Sequence, residues 1–296
     1  MRIALHACEH NKFPNLPLMK LSSHHKQFGD TVEFFKLGKD FDIIYSSKIF
    51  TYSKSDSTLP ASAVKGGTGY DFKISLSDSI EHVIPDYSLY PDFKASLGFT
   101  TRGCIRNCPW CIVPKKEGKL RAHAEIKEFL RTDSQDVVLM DNNILASEHG
   151  LKQLEFVRDH KLKLDCNQGL DVRLIAGDEA IATLLSKIKW IRFIRVACDT
   201  DAQLPYIKKA VALLKTKGVK PYRIFCYVLL KDFERTFNIV EELRAIGVDP
   251  FVQPYRDFNS VIEPPRLHKA YARYVNLKKI FKSASWEEYK KLIKGL

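Results

Sequence analysis

The chain has 296 residues, of which 45% are hydrophobic and 28% are charged, and its formal net charge is +12. This composition is typical of a globular protein with a sizeable core and excludes a mainly disordered chain. No apolar run reaches the roughly 18 residues of a transmembrane helix. The short apolar run at the amino terminus indicates a first strand and not a signal peptide. We therefore expect a cytoplasmic protein with no membrane partner.

The first 81 residues have the pattern of a small α/β domain. Its predicted elements are strands over 2–8, 31–36 and 41–46, a helix over 15–28 that begins at Asn15 and ends at Gly29, and a tight turn at 66–69. Residues 82–95 contain two prolines and little periodicity, which predicts a linker.

Residues 96–258 show a regular alternation of strands and helices. Strands are predicted over 96–101, 136–141, 162–167, 191–197, 223–229 and 248–253, and helices over 122–132, 147–160, 178–188, 202–217 and 233–246. Such a series predicts parallel strands in an α/β fold, as a barrel, a partial barrel or an open doubly wound sheet. In each arrangement the reactive groups lie at the carboxyl ends of the strands.

The excess positive charge lies in the later part of the chain. Residues 1–94 contain 11 basic and 11 acidic side chains, whereas the last 33 residues contain nine and two. We expect residues 259–296 to form a basic helical extension with one face packed on the body. The apolar face is predicted to contain Leu267, Tyr271, Tyr274, Leu277 and Phe281. The basic face is typical of a polyanion binder, and a solvated helical surface explains it equally well.

Three of the seven cysteines lie close together after the strand predicted at 96–101. Cys104, Cys108 and Cys111 have the spacing C-x3-C-x2-C, and Trp110 directly precedes the third. In a chain expected to be cytoplasmic, a tight group of thiols indicates a metal site and not a disulfide framework. Three thiolates on one loop can bind three irons of a [4Fe-4S] cluster and leave the fourth iron open to a small ligand.

Two other metal-site types were considered. A structural zinc site could add a distant ligand such as His123 or Cys166, although the chain has no second C-x2-C pair. A ferredoxin-like electron carrier would need a fourth cysteine at a defined spacing, which is missing.

The cysteine loop, placed after the first strand of a six-fold βα series, resembles the radical S-adenosylmethionine (SAM) superfamily over residues 96–258. The resemblance implies a partial (β/α)6 barrel of the TIM type and one [4Fe-4S] cluster held by the three cysteines. It implies that SAM binds the open iron and is reductively cleaved to methionine and a 5′-deoxyadenosyl radical, which abstracts hydrogen from a substrate. An external one-electron donor, flavodoxin- or ferredoxin-like, is also implied.

The same resemblance suggests residues that contact SAM. Trp110 is expected near the adenine, and the polar residues at the strand ends are expected near the other groups of the ligand. These residues are Asp141 and Asn142 after the second strand, Asn167 and Arg173 after the third, Arg195 and Asp199 on the fourth, and Gln253 on the sixth.

Strand alternation separates the remaining cysteines from this polar face. Along the fourth strand, Arg195 and Asp199 share one face, and Cys198 lies on the apolar face. Equivalent alternation turns Cys166 and Cys226 away from the polar side chains of their strands. We expect all three to be small buried hydrophobic residues.

The amino-terminal segment weakly resembles a shortened Rossmann-like domain of cobalamin-dependent radical SAM enzymes, because of the glycine-rich turn at 66–69. The Asp-x-His-x-x-Gly pattern that binds cobalamin in that family is absent, so no cobalamin is expected. His6, Cys8 and His10 alternate at the end of the first strand; a metal there is conceivable, and a structural role is more common.

The sequence does not identify the substrate. Nucleic acid is one candidate because of the basic carboxyl-terminal part, and a small metabolite or peptide is another. The third hypothesis is a non-catalytic, zinc-stabilised nucleic-acid-binding module.

Overall fold

The computed structural model describes residues 1–9, 13–258, 260 and 262–293. Its contacts divide the chain into two compact units, Met1–Val138 with Phe258–Val261, and Leu139–Asp257 with Ile262–Leu296. The boundary falls inside a strand, and the domain limits predicted at 81, 95 and 258 stay predictions. Among the described residues, no helix combines the length and the apolar character that a membrane span requires.

The first unit contains short strands and few helices. Its strands are β1 (Arg2–Ala7), β2 (Thr31–Phe34), β3 (Ile43–Ser47), β4 (Val64–Gly66), β5 (Ser96–Gly98), β6 (Thr101–Arg102), β7 (Arg121–Ala122) and most of β8 (Asp136–Leu139). Its helices are α1 (Leu16–Gln27), α2 (Asp78–Glu81) and α3 (Val113–Lys116).

A parallel sheet with the strand order β2-β1-β3-β4 forms the amino-terminal part of this unit. Helix α1 begins as predicted, because the Asn15 side chain accepts a hydrogen bond from the backbone N–H of Leu18. It buries Leu18 and Leu21 against Ile3 and Leu5 of the central strand. Burying each of these side chains contributes about 1.5–3 kcal/mol, which is how a short sheet acquires a core.

The prediction of a helix over 122–132 is wrong. Strand β7 instead pairs with β6 in an antiparallel ribbon, and only a 3-10 turn forms at Ile126–Glu128. Ile126 is buried, and Phe129 packs so closely on Gly98 that a Cβ there would lie 2.6 Å from the ring. Ile126 and Phe129 have the spacing of a helical apolar face, but they are apolar because each is buried in tertiary packing outside a helix.

The second unit alternates strands and helices. Its strands are β9 (Lys163–Cys166), β10 (Leu170–Asp171), β11 (Lys189–Trp190), β12 (Ile194–Ala197), β13 (Ile224–Leu230) and β14 (Asp249–Pro254). Its helices are α4 (Glu148–Asp159), α5 (Val172–Gly177), α6 (Glu179–Lys187), α7 (Leu204–Thr216), α8 (Phe233–Ala245), α9 (Arg266–Asn276), α10 (Lys278–Ser283) and α11 (Trp286–Lys291).

The strands of this unit are parallel, as predicted. One sheet has the order β10-β12-β13-β14, and β11 pairs in parallel with β9. The backbone N–H of Asn167, just after β9, donates to the carbonyl oxygen of Leu139 at the end of β8. Helices α4, α6, α7 and α8 confirm the predicted helices of this region. The chain is therefore an α/β protein with parallel sheets.

The carboxyl-terminal helices pack through aromatic side chains. Tyr271, Tyr274 and Phe281 are buried as predicted. The ring centres of Tyr271 and Tyr274 lie 5.1 and 5.5 Å from the ring centre of Trp286. Leu277 differs from the prediction: it is 41% exposed, because α9 ends at Asn276 and the helical phase is lost there.

Asn276 ends α9 by pairing with the outer edge of β14. Its Oδ1 accepts from the N–H of Val252 and its Nδ2 donates to the carbonyl of Val252, both at 2.9 Å. β14 is the last strand in its sheet, so its outer backbone groups need partners other than a strand. The amide side chain supplies both.

Replacing Asn276 with Ala should lower the free energy of unfolding by about 1–3 kcal/mol, because two buried backbone groups lose their partners. Urea denaturation of the whole chain measures this change. Lys279→Ala, an exposed substitution in α10, is the control and should stay within about 0.5 kcal/mol of wild type. Equal stability of the two variants would contradict the bridging role of Asn276.

Candidate functional site

The cysteine loop leaves β6 through a turn that requires glycine. Gly103 has a φ of +81°, and a Cβ there would lie 2.3 Å from the carbonyl oxygen of Lys119. The backbone N–H of Cys104 donates to the carbonyl of Gly118 at 3.3 Å. The returning chain before β7 therefore holds the start of the loop against β6.

The three loop thiols are half-buried, and none of the seven cysteines is in a disulfide. The backbone N–H of Arg106 donates to Cys104 Sγ at 3.3 Å, and the N–H of Cys111 donates to the carbonyl of Cys108 at 3.0 Å. A backbone N–H directed at a cysteine sulfur is the kind of hydrogen bond that tunes metal-bound thiolates.

Within the described residues, no group of three or more His, Cys, Asp and Glu side chains is spaced to hold a metal ion. As a donor set, three accessible thiols on one loop fit iron–sulfur clusters and zinc, which are soft-ligand metals. Their ligation of iron stays a prediction.

Arg102 anchors the base of the loop. Its guanidinium lies 3.6 Å from the centre of the Phe99 ring and donates to Glu117 and Glu81, each at 3.2 Å. Two carboxylates thus neutralise this cation. Its charge therefore fixes the strand that precedes Cys104.

Glu81, at the end of α2, is the centre of this ion-pair network. Lys20 Nζ lies 3.2 Å from its carboxylate, and His123 Nε2 lies 3.6 Å from it, beyond hydrogen-bond distance. Burial by itself would raise the pKa of Glu81, but His123, Arg102 and Lys20 outweigh burial and hold the pKa at about 2. Glu81 therefore stays ionised at neutral pH. Nothing in the sequence indicated this residue, because it is distant from the cysteines along the chain.

Of the other basic residues near the motif, Lys115 is exposed, and Lys116 is half-buried with its Nζ 3.4 Å from the carbonyl of Phe72. Burial lowers the pKa of Lys116. Trp110 is half-buried in the loop itself.

Cys166, Cys198 and Cys226 are fully buried, which confirms that prediction. Burial raises the pKa of Cys198 to about 12 and the pKa values of Cys166 and Cys226 well above the ordinary value. Metal ligation requires the thiolate, which burial disfavours. Without a bound metal, these buried thiols therefore stay protonated at neutral pH.

A polar network joins three strands of the second unit. Arg195 on β12 binds Asp165 on β9 through two hydrogen bonds, at 2.5 and 2.8 Å. It also donates to the hydroxyl of Tyr227 on β13 at 2.9 Å, and that hydroxyl donates to the carbonyl of Asn167 at 3.1 Å. The predicted residues Arg195 and Asn167 are thus brought together. Asp165 and Tyr227 were missed as site residues, although strand alternation places each on the polar face.

A second polar group surrounds Asp171, which caps α5. The Asp171 carboxylate accepts from Arg173 Nε at 2.7 Å and Nη2 at 3.0 Å, and from Asn143 Nδ2 at 3.4 Å. Asp199 Oδ1 accepts from the N–H of Leu229 at 2.9 Å. Burial raises the pKa of Asp199, opposed by that hydrogen bond and by the charge of Arg173. Its carboxyl group is therefore desolvated at the carboxyl end of β12.

The remaining described residues that the sequence predicted as ligand contacts or metal ligands lie on or just after other strands. Asp141 is buried and Asn142 is half-buried after β8, whereas Gln253 is exposed on β14 opposite Leu229. His6 and Cys8 lie among hydrogen-bonding side chains at the end of β1, and His10 lies outside the described residues.

Two glycine variants test the turn before Cys104. Gly118→Ala should cost about 1–2 kcal/mol, since its φ of +73° is unfavourable but no atom lies within 4 Å of the added Cβ. Gly103→Ala should cost about 1–3 kcal/mol more, because the added Cβ also meets backbone atoms. Thermal and chemical unfolding measure both. A Gly103→Ala variant no less stable than Gly118→Ala would contradict the close packing of this turn.

The chain was compared with models of protein families, and none matches. Among curated proteins, none matches either.

Proposed function

We propose that the chain is a radical SAM enzyme whose cysteine loop holds one [4Fe-4S] cluster. The observation that carries this proposal is the contrast among the cysteines. Cys104, Cys108 and Cys111 are half-buried on one loop, with a backbone N–H on the first sulfur, whereas the cysteines of the later strands are buried with raised pKa values. Only the loop set combines accessibility with the spacing of a cluster ligand motif.

The strand arrangement supports a partial (β/α)6 barrel of the TIM type for residues 96–258. In the second unit, the end of β8 bonds to the residue after β9, the Asp165–Arg195 pair joins β9 to β12, and β12, β13 and β14 are neighbours in order. Consecutive parallel strands that lie side by side, with helices between them, are the construction of such a barrel.

Within this proposal the protein residues have distinct tasks. Cys104, Cys108 and Cys111 would bind three irons, and a bound cluster would supply the electron that splits SAM into methionine and a 5′-deoxyadenosyl radical. Trp110 would contact the adenine. Asp141, Asn142, Asn167, Arg173, Arg195, Asp199 and Gln253 are the proposed contacts to the other groups of SAM.

Contacts within the second unit support more specific proposals for two of these residues. Arg195 is already bound to Asp165 and Tyr227. Its proposed task is therefore to hold strands β9, β12 and β13 together and not to offer a free charge to the ligand. Asp199 accepts a backbone hydrogen bond on Oδ1 and is desolvated, so its carboxyl group is suited to bind a ligand hydroxyl or ammonium group.

The proposed setting is cytoplasmic, with an external flavodoxin- or ferredoxin-like donor that supplies one electron for each SAM cleaved. A zinc-stabilised binding module is the competing proposal for the same cysteines, and a metal analysis separates the two. About four irons and four sulfides in each reconstituted chain support the enzyme, whereas one zinc supports the module.

Replacing Cys108 with Ala should abolish the iron-dependent visible absorption after anaerobic reconstitution and the formation of 5′-deoxyadenosine from SAM and dithionite. Absorption spectra, iron content and product chromatography measure these effects. Cys226→Ala is the matched control and should retain both, because its thiol is buried. Unchanged 5′-deoxyadenosine formation by the Cys108 variant would overturn the proposal.

Nucleic acid is the substrate class that the charge distribution favours over a small metabolite or peptide. Helices α9 to α11 turn their aromatic residues inward and leave Arg266, Lys269, Arg273, Lys279, Lys282 and Lys291 exposed. Lys269 and Lys282 lie near carboxylates, but within the described part of the chain no ion pair engages Arg273 or Lys279. Exposed cations of this kind can displace the counterions of a phosphate backbone.

Replacing both Arg273 and Lys279 with Gln should weaken the binding of single-stranded RNA and reduce the slope of log K against log salt by about 1–2. Fluorescence anisotropy at several salt concentrations measures the slope. Lys36→Gln with Lys94→Gln removes the same charge from the electrically neutral first third of the chain and should leave the slope unchanged. An unaltered slope for the α9–α10 variant would count against nucleic acid as the partner of this surface.

A further inference from the structure

The carboxyl edge of the amino-terminal sheet has the topology of a ligand site. In the order β2-β1-β3-β4, the chain passes from β1 to β2 on one side and then to β3 on the other. The crevice between the carboxyl ends of β1 and β3 is therefore a topological switch point, which is where parallel α/β sheets bind ligands.

Polar side chains are concentrated at this edge. Ser46 Oγ, on β3, lies 3.0 Å from His6 Nδ1 of β1 and 2.9 Å from the hydroxyl of Tyr70. That hydroxyl lies 3.3 Å from Cys8 Sγ. Ser46 and His6 are buried, so this hydrogen-bond network is part of the interior of the sheet and not a set of surface contacts.

Lys48, directly after β3, is a buried cation that forms no ion pair with any described residue. It is 8% exposed, and its ammonium group lies 3.4 Å from Ser55 Oγ and 5.6 Å from the centre of the Tyr70 ring. No carboxylate of the described residues pairs with it, and the residues outside the described part include no Asp or Glu. Asp56, the acid next to Ser55, is bound to His6 and Thr58 instead. Burying a charge without a counter-charge is unfavourable, so this ammonium group is suited to an anionic ligand.

A second cation lies near the same ring. Lys65 Nζ of β4 is 5.9 Å from the centre of the same Tyr70 ring. The turn that carries Tyr70 lies directly on the segment after β3, since a Cβ on Gly67 or Gly69 would lie 2.5 Å or less from atoms of Lys48. Both ammonium groups therefore lie within 6 Å of the centre of the Tyr70 ring.

The same segment presents two stacked aromatic rings. Phe50 and Tyr52 have centroids 5.1 Å apart and an interplanar angle of 11°, and each is 42% exposed. The Glu9 carboxylate accepts from the backbone N–H groups of Ile49 and Phe50 at 3.0 and 3.1 Å, which holds the segment in place. A preorganised, exposed pair of parallel rings is a surface on which a nucleobase can stack.

We propose that this edge binds a nucleotide, with the phosphate at Lys48 and Lys65 and the base on the Phe50–Tyr52 pair. The site uses none of the residues of the cysteine loop and does not depend on the proposed radical chemistry. Because residues 1–94 have no net charge, the region fits one small phosphate ester better than an extended polyanion.

Calorimetric titration of the full chain with AMP tests the proposal, with excess S-adenosylhomocysteine present to fill any other adenosine site. We expect Lys48→Met to weaken AMP binding at least tenfold, and Lys54→Met, an exposed lysine of the same segment, to leave it unchanged. Adenosine and inorganic phosphate should each bind at least tenfold more weakly than AMP. Phe50→Ala should weaken AMP binding but not phosphate binding.

Thermal unfolding without ligand tests whether the Lys48→Met variant is folded. AMP should raise the midpoint of the wild type but not of this variant. The proposal is overturned if AMP does not bind, if Lys48→Met binds it as the wild type does, or if adenosine or phosphate binds as tightly as AMP. None of these results changes the iron content, so failure here is distinguishable from failure of the cysteine-loop proposal.

Discussion

The close approach of two backbone segments at Gly103 governs the geometry of the cysteine loop. The carbonyl of Lys119 comes so near that no side chain fits, and the N–H of Cys104 bonds to Gly118 in the same returning segment. Arg102 fixes the preceding residue from the other side through Glu81 and Glu117. The position of the first thiol is thus determined by backbone packing and a buried ion-pair network, and the exposed remainder of the loop follows from it.

Burial divides the ionisable groups of the chain into two kinds. Glu81 and the Asp165–Arg195 pair are desolvated but matched by opposite charges, which stabilises the strands they connect. Burial raises the pKa of Asp199, and Lys48 is 8% exposed, yet among the described residues neither side chain forms an ion pair. These incompletely paired groups lie at the carboxyl ends of parallel strands, in different units of the chain. The two proposed binding functions rest on that contrast, because a protein retains such groups at an energetic cost.

Predictions from sequence succeeded where a single local rule applied. The capping side chain of Asn15 and the alternation along β12 depend on neighbouring residues only, and both are confirmed. The helix predicted over 122–132 failed because Ile126 and Phe129 are apolar for contacts with distant strands. The prediction that Leu277 lies on the apolar face failed for a related reason: Asn276 bonds to β14 and ends the helix one residue earlier.

The sequence alone determined the α/β class, the order of most strands and helices, and the thiol spacing, since periodicity and chain distance are local properties. It also determined that Cys166, Cys198 and Cys226 are buried. Only the tertiary structure decided which charges are neutralised, that Asp165 and Tyr227 hold Arg195, and that no carboxylate of the described residues pairs with Lys48. Those facts depend on residues far apart in the chain, and the free energy of a charge depends on what surrounds it in space and not on its neighbours in sequence.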